Sequence, residues 1–266
     1  MADTLLGGTS HEICATVLKQ MQTEAVLHDV QGEVKDLAIV GCELILRQDL
    51  LHRFLAKQAL LREELQKFDV DQLKIFSPSH KMHRGFFSLL DHDVARQVVY
   101  RDRPIDKDRL IEALVKPRMA FHGTLDRCVP GITQHGFLMP GDRHPESKAA
   151  HKVRCASFGG KGIYATPDFL YSLYYSLEGK RQDSFQVLVC AVTLGRAADV
   201  TLLWNPNDPE AFGRFSHPIF EDTDSHLFSF QPWEQGNPAS EYCVFDKAQI
   251  LPCYILHLKY TPPVNV

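Results

Sequence analysis

The chain has 266 residues, 44% hydrophobic and 23% charged, with a formal net charge of −4 and a pI near 6.3. That length buries a substantial core, and the mild acidity gives no electrostatic reason to expect nucleic acid as a partner. No apolar run reaches the ~20 residues of a membrane helix, and the opening stretch MADTLLGGTSHE lacks the basic and apolar regions of a secretory signal.

Residues 12–27 read as a helix, with Ile13, Val17 and Leu18 at workable spacing. LAIVGCELIL (37–46) is β-branched and apolar and reads as a strand. From Asp49 the period changes to 3.6: Leu50, Leu51, Phe54, Leu55, Leu61 and Leu65 form one apolar stripe through 50–67, with Asp49 as the expected N-cap. Residues 69–84 read as a loop, followed by helices over about 86–100 and 106–115. After Pro117 the texture turns strand-rich. MAFHG is a short strand, GITQHGF a helical turn ended by Gly136, and 138–157 is polar and irregular. SFQVLVCAVTLG (184–195) is apolar enough for a strand buried on both faces. EYCVFD (241–246) and CYILHLKY (253–260) are further strands. With no linker or repeat in view, the expectation is one α+β domain whose helices are concentrated in the N-terminal half.

Seven cysteines are scattered with no C-x-x-C pair: Cys14, Cys42, Cys128, Cys155, Cys190, Cys243 and Cys253. Several sit in apolar runs such as VLVCAV. They read as reduced, mostly buried thiols, which suits a cytoplasmic or nuclear protein without a structural zinc. His80 and His83 have H-x-x-H spacing, but a loop pair without further ligands reads as solvated, so no metal is expected.

One stretch is unusual. FGGKGIYATPDFLYSLYYS (158–176) sets three glycines ahead of four tyrosines. Thr166-Pro167-Asp168 reads as a helix start, with a capping hydroxyl, Pro at N1 and an acid on the positive end of the dipole. Gly179 with Lys180 and Arg181 reads as the stop. Within the helix Ser172 and Tyr175 share a face. Tyr164 and Tyr175 can then form two walls of a slot with the Ser172 hydroxyl at its floor, a place for a planar ring with a polar substituent. A Tyr-rich helix face serves plain core packing equally well.

Two further segments alter that balance. AFHGT ends a strand with His122-Gly123-Thr124, and ASEYCVFD opens one with Glu241. The run His122-Gly123-Thr124, Ile132-x-x-x-Gly136-Phe137, Gly160-Lys161-Gly162-Ile163-Tyr164 and Ser172-x-x-Tyr175 resembles the catalytic domain of poly(ADP-ribose) polymerase-like ADP-ribosyltransferases. VLVCAVTLGR, TDS at 223–225, SEYCVFD and QILPCYILHLKY continue the resemblance, which covers about residues 22–260.

The resemblance implies a split antiparallel β-sheet that grips NAD, as co-substrate rather than bound cofactor, with a His-Tyr-Glu trio at His122, Tyr164 and Glu241. It implies a catalytic domain over 22–266, a short N-terminal extension over 1–21 and a helical insertion at about 68–116. In the family the His bonds a ribose hydroxyl on the adenine side, and the backbone of the next Gly, here Gly123, pairs with the nicotinamide carboxamide. The two tyrosines, here Tyr164 and Tyr175, stack on the nicotinamide, and Ser172 matches the serine that holds the amide. Thr124 matches a position near the adenine ribose. The 138–157 segment, with Arg143, Lys148 and Arg154, matches the loop that closes over the dinucleotide.

Glu241 is the expected catalytic carboxylate, since charge grows at the ribose carbon as nicotinamide leaves. The expected acceptor is a protein, with chain elongation permitted, and no membrane partner is expected. Two alternatives share these residues: an NAD glycohydrolase, with water as acceptor, and a non-catalytic NAD- or ADP-ribose-binding module. An RNA 2′-phosphotransferase has the same fold but a basic, His/Arg-rich site, which the acidic charge and the Tyr/Glu pair argue against.

Overall fold

The computed structural model describes residues 9–27, 37–75, 106–150, 160–177, 183–200, 223–230 and 239–260. The expected helix at 86–100, the His80/His83 pair, Arg154 and the Gly179 stop lie outside these residues.

The described elements are α1 (Ser10–Leu27), β1 (Leu37–Leu44), α2 (Gln48–Leu65), α3 (Val70–Ile75), α4 (Lys107–Val115), β2 (Arg118–Gly123), α5 (Val129–His135), β3 (Ile163–Ala165), α6 (Phe169–Leu177), β4 (Ser184–Val192), β5 (Ala197–Asp199), β6 (Ser225–Phe230), β7 (Ala239–Val244) and β8 (Ile250–Tyr260). They form a mixed α+β fold with two four-stranded sheets, ordered β1-β8-β4-β2 and β3-β7-β6-β5. The ladders are antiparallel except β5–β6, which is parallel. The sheets meet where Phe121 of β2 bridges Thr166, just past β3, through reciprocal backbone hydrogen bonds of 2.7 and 2.9 Å.

Burial of β4 on both faces explains its unbroken apolar sequence. Phe185, Val187, Val189 and Ala191 join a cluster with Ile13 and Val17 of α1, Leu50 and Phe54 of α2, and Phe169 and Leu173 of α6. Leu188, Cys190 and Val192 point the other way, to Ile163 and Ala165 of β3, Leu227 of β6, and Tyr242 and Val244 of β7. The period of two thus divides one strand between two cores. The stripe on α2 divides too: Leu61 and Leu65 leave the first cluster and pack against Leu73, Leu110, Ile111 and Leu114 of α3 and α4.

Several local readings differ from expectation: Val70–Ile75, within the stretch expected to be a loop over 69–84, is the helix α3. The N-cap of α2 is Arg47, which makes no side-chain capping bond; Asp49 lies inside the first turn and pairs with the Arg47 guanidinium at 3.0 Å. Its carboxylate still faces the positive end of the helix dipole, but through a salt bridge rather than a cap. β5 and β6 are strands beyond those expected. β7 begins at Ala239, so Glu241 is its third residue, buried and opposite Phe228 of β6, not the opening residue of an exposed strand. By contrast α5 does end at Gly136, whose φ of +80° is one a side chain resists.

Candidate active site

The second sheet carries the core on one face and the candidate chemistry on the other. Tyr164 pairs with Cys243 across β3–β7, and Glu241 lies two residues along β7 from Cys243. Side chains two apart on a strand share a face, so Tyr164, Cys243 and Glu241 project together, away from Ala165, Tyr242 and Val244. On β6 the residue opposite Glu241 is Phe228, whose ring lies 6.0 Å from that of Tyr164, edge to face. His226, opposite Cys243, continues the same row. The Tyr164 hydroxyl donates to the Gly160 carbonyl at 2.6 Å, which fixes the ring direction.

His122 comes to this edge from β2. Its Nδ1 lies 2.7 Å from the Tyr164 carbonyl oxygen. A carbonyl only accepts, so Nδ1 carries the proton and, in the neutral ring, Nε2 is the accepting nitrogen. Phe137 packs on the imidazole edge at 4.9 Å. The next residue, Gly123, is pressed against α6: a β-carbon there would lie 1.8 Å from the Ser172 carbonyl oxygen. Only a glycine permits that approach, and it sets His122 beside the helix that carries Ser172 and Tyr175.

On α6 the Tyr175 hydroxyl hydrogen-bonds that of Tyr171 at 2.7 Å, their rings edge to face. Tyr175 is half-buried, whereas Ser172 is 0% exposed and donates its hydroxyl proton to the Phe169 carbonyl at 2.6 Å. The serine is thus sealed beneath the surface rather than open at a slot floor. What its oxygen retains is accepting capacity. Thr124 is half-buried just beyond β2. Arg143 and Lys148 close their own turn: the Arg143 guanidinium donates to the Lys148 carbonyl at 3.2 Å, and the Lys148 ammonium donates to the Pro145 carbonyl.

Glu241 is 4% exposed. Burial, and then the nearby negative charge of Asp168, push its carboxyl up to about 8 from an ordinary 4.5. Burial likewise pushes Asp168 up to about 6, against the lowering effect of a hydrogen bond from the Ser240 amide. Burial raises the Cys243 thiol as well, so it is no nucleophile at neutral pH. Perturbed carboxyls gathered beside aromatic rings mark a functional site more often than a structural one.

Asp168 is the site residue that sequence reasoning placed elsewhere, as a helix-dipole acid at the start of α6. Its carboxylate instead reaches β7, 72 residues away in sequence, and only folding brings the two together. A separate cleft lined by Leu50, Arg53, Gly136, Phe137 and Lys247 contains none of the expected site residues. Among the described residues no group of three or more His, Cys, Asp or Glu is placed to hold a metal, and no helix is long and apolar enough to cross a membrane.

Comparison with protein families gives a match to the poly(ADP-ribose) polymerase catalytic domain over residues 81–208. The match supports a catalytic domain of that kind and suggests ADP-ribosyltransferase activity in general. The matched stretch takes in His122, Gly123, Thr124, Tyr164, Ser172 and Tyr175 and ends before Glu241. Among curated proteins none matches the chain.

Proposed function

We propose that the chain is an NAD-dependent ADP-ribosyltransferase of the His-Tyr-Glu type, its catalytic unit spanning residues 22–266. The observation that carries this reading is the common face of Tyr164 and Glu241, set against His122 by the hydrogen bond from His122 to the Tyr164 carbonyl. His122 Nε2 accepts a hydrogen bond from a ribose hydroxyl of the adenine half. The Gly123 backbone pairs with the nicotinamide carboxamide, and Tyr164 and Tyr175 stack on the ring. Thr124 lies toward the adenine ribose. Ser172 accepts from the carboxamide N–H group once the side chains sealing it shift aside.

Nicotinamide leaves with the electron pair of its bond to ribose, and positive charge develops at that carbon. Glu241, as the carboxylate, stabilises the charge and accepts a hydrogen bond from the ribose 2′-hydroxyl. The acceptor's nucleophile then bonds to the same carbon and gives up its proton, with Glu241 as the nearest base. A protein side chain is the proposed acceptor, and retention of Glu241 leaves chain elongation open to the same site.

Nicotinamide release from NAD by purified protein tests the reading, compared between wild type and Glu241→Gln. The expected loss in kcat is about 100-fold or more, the usual scale for removing a transition-state electrostatic partner. Wild-type turnover with the variant within a few-fold would remove Glu241 from its role. Mass analysis of the products separates transfer to protein from release of free ADP-ribose, and the latter would make the enzyme a glycohydrolase.

A further inference from the structure

We propose that the Thr166–Pro167–Asp168 turn is the positioning element of this site, and that Asp168 fixes the placement of Glu241 and adds its own charge to the field at that carboxyl. This goes one step beyond the transferase reading and rests on it for its catalytic meaning. The turn binds the chain next to each member of the trio. Its backbone at Thr166 exchanges two hydrogen bonds with Phe121, the residue before His122. Tyr164 lies two residues upstream on the same strand. Its side chains grip the residue before Glu241 from both sides: Thr166 Oγ1 donates to the Ser240 carbonyl at 2.7 Å, and Asp168 Oδ2 accepts from the Ser240 amide at 2.7 Å. The Asp168 amide in turn donates to Thr166 Oγ1 at 3.0 Å, closing the clip.

Both peptide groups that flank Ser240 are thereby fixed, and a strand so pinned leaves the Glu241 side chain little freedom to drift. The Thr166 hydroxyl thus accepts an amide at the entry to α6, as a capping side chain does, while the same hydroxyl and the Asp168 carboxylate also bind β7. The Asp168 carbonyl, not its carboxylate, accepts the Ser172 amide at 3.2 Å.

The second consequence is electrostatic. Cys243 on the same strand, Tyr164 on β3, and Phe228 and His226 on β6 share the sheet face of Glu241. Among these and the turn, the ionisable group whose charge bears on Glu241 is Asp168. Burial first, and the charge of Asp168 second, disfavour the Glu241 carboxylate. Glu241 is therefore held protonated until a cationic group arrives. The pyridinium of NAD is such a group, and seating it lets Glu241 release its proton to solvent and become the carboxylate that the bond cleavage requires.

Asp168→Asn and Asp168→Ala in the full chain separate the two effects. The asparagine variant keeps an oxygen to accept from Ser240 and loses the charge; the alanine variant loses both. Titration of carbon-13-labelled glutamate carboxyls, with Glu241→Gln to assign the resonance, reads the charge effect without any turnover. The expected result for Asp168→Asn is a Glu241 midpoint lower by about 1 unit. The acid limb of the kcat/KM profile for nicotinamide release moves the same way, with kcat at its plateau nearly unchanged. Asp168→Ala lowers plateau kcat by about 10- to 100-fold through misplacement of Glu241, while KM for NAD changes little.

A Glu241 midpoint unmoved by Asp168→Asn overturns the charge role, and full kcat in a folded Asp168→Ala overturns the positioning role. If Asp168→Ala fails to fold, Asp168→Asn still decides on charge, and Thr166→Val, which removes the other half of the clip, decides on position by the same kcat criterion. If wild type releases no nicotinamide yet the midpoint shifts, the transferase reading fails while the carboxyl pairing stands.

Discussion

Replacing Gly123 by alanine puts a methyl group where α6 already is. The new carbon would lie 1.8 Å from the Ser172 carbonyl oxygen, 2.8 Å from its carbonyl carbon and 3.1 Å from the Tyr175 β-carbon. An unstrained carbon–oxygen contact needs about 3.3 Å, so helix and strand must separate by roughly 1.5 Å. The obstacle is backbone, and rotating a side chain cannot relieve it. α6 is also held from behind by Phe169, Leu170 and Leu173, all buried in the first core. The cost therefore belongs at the upper end for overpacking, about 3 kcal/mol. In a chain of this size that is a Tm loss of roughly 6–12 °C. Ser172 and Tyr175 move with the helix, away from the carboxamide position, and misplacement by an ångström or more lowers kcat/KM by about 100-fold. Calorimetry and nicotinamide release measure the two effects. A variant with wild-type Tm and wild-type turnover would refute the close apposition of β2 and α6 on which the proposed nicotinamide site rests.

Gly131→Ala serves as the opposite case. This glycine lies inside α5 with only ordinary contact, 3.4 Å to the His144 ring, so the exchange should stabilise by about 0.5–1 kcal/mol, read as a higher denaturation midpoint. Glu241→Gln should change stability in a pH-dependent way. The folded carboxyl titrates near 8 against 4.5 in an unperturbed chain, so the native state keeps a proton that the unfolded chain loses, and wild-type stability falls as pH rises from about 4.5 through about 8. The glutamine variant lacks this loss; its Tm should exceed wild type above pH 8 and converge with it toward pH 4.5, and a constant gap would exclude the buried titration. Asp224→Ala should cost about 3 kcal/mol in urea unfolding. The Asp224 carboxylate accepts from the Arg196 guanidinium at 2.8 and 2.9 Å and from the Arg196 amide at 2.8 Å, where the chain passes from β4 to β5. An unchanged midpoint would mean that this pair is dispensable to the second sheet.

The sequence by itself determined the elements whose signal is local. The apolar run of β4, the stripe on α2, the Asp106-capped helix α4 and the Gly136 stop of α5 each follow from residues within a few positions of one another. It also supplied, in order along the chain, the residue types of the proposed nicotinamide site. Only the tertiary structure decided how those residues serve. Ser172 points its hydroxyl into its own helix, Tyr175 leans on Tyr171, and Glu241 lies buried within β7 opposite Phe228. Thr166 accepts the Asp168 amide at the entry to α6, and both residues also hold β7. The physical reason is the reach of each determinant. A cap, a period or a φ angle is set by neighbours along the chain, whereas the ionisation of a carboxyl and the partner of a hydroxyl are set by whatever folding brings within a few ångströms, and between Asp168 and Ser240 that meant bridging a separation of 72 positions.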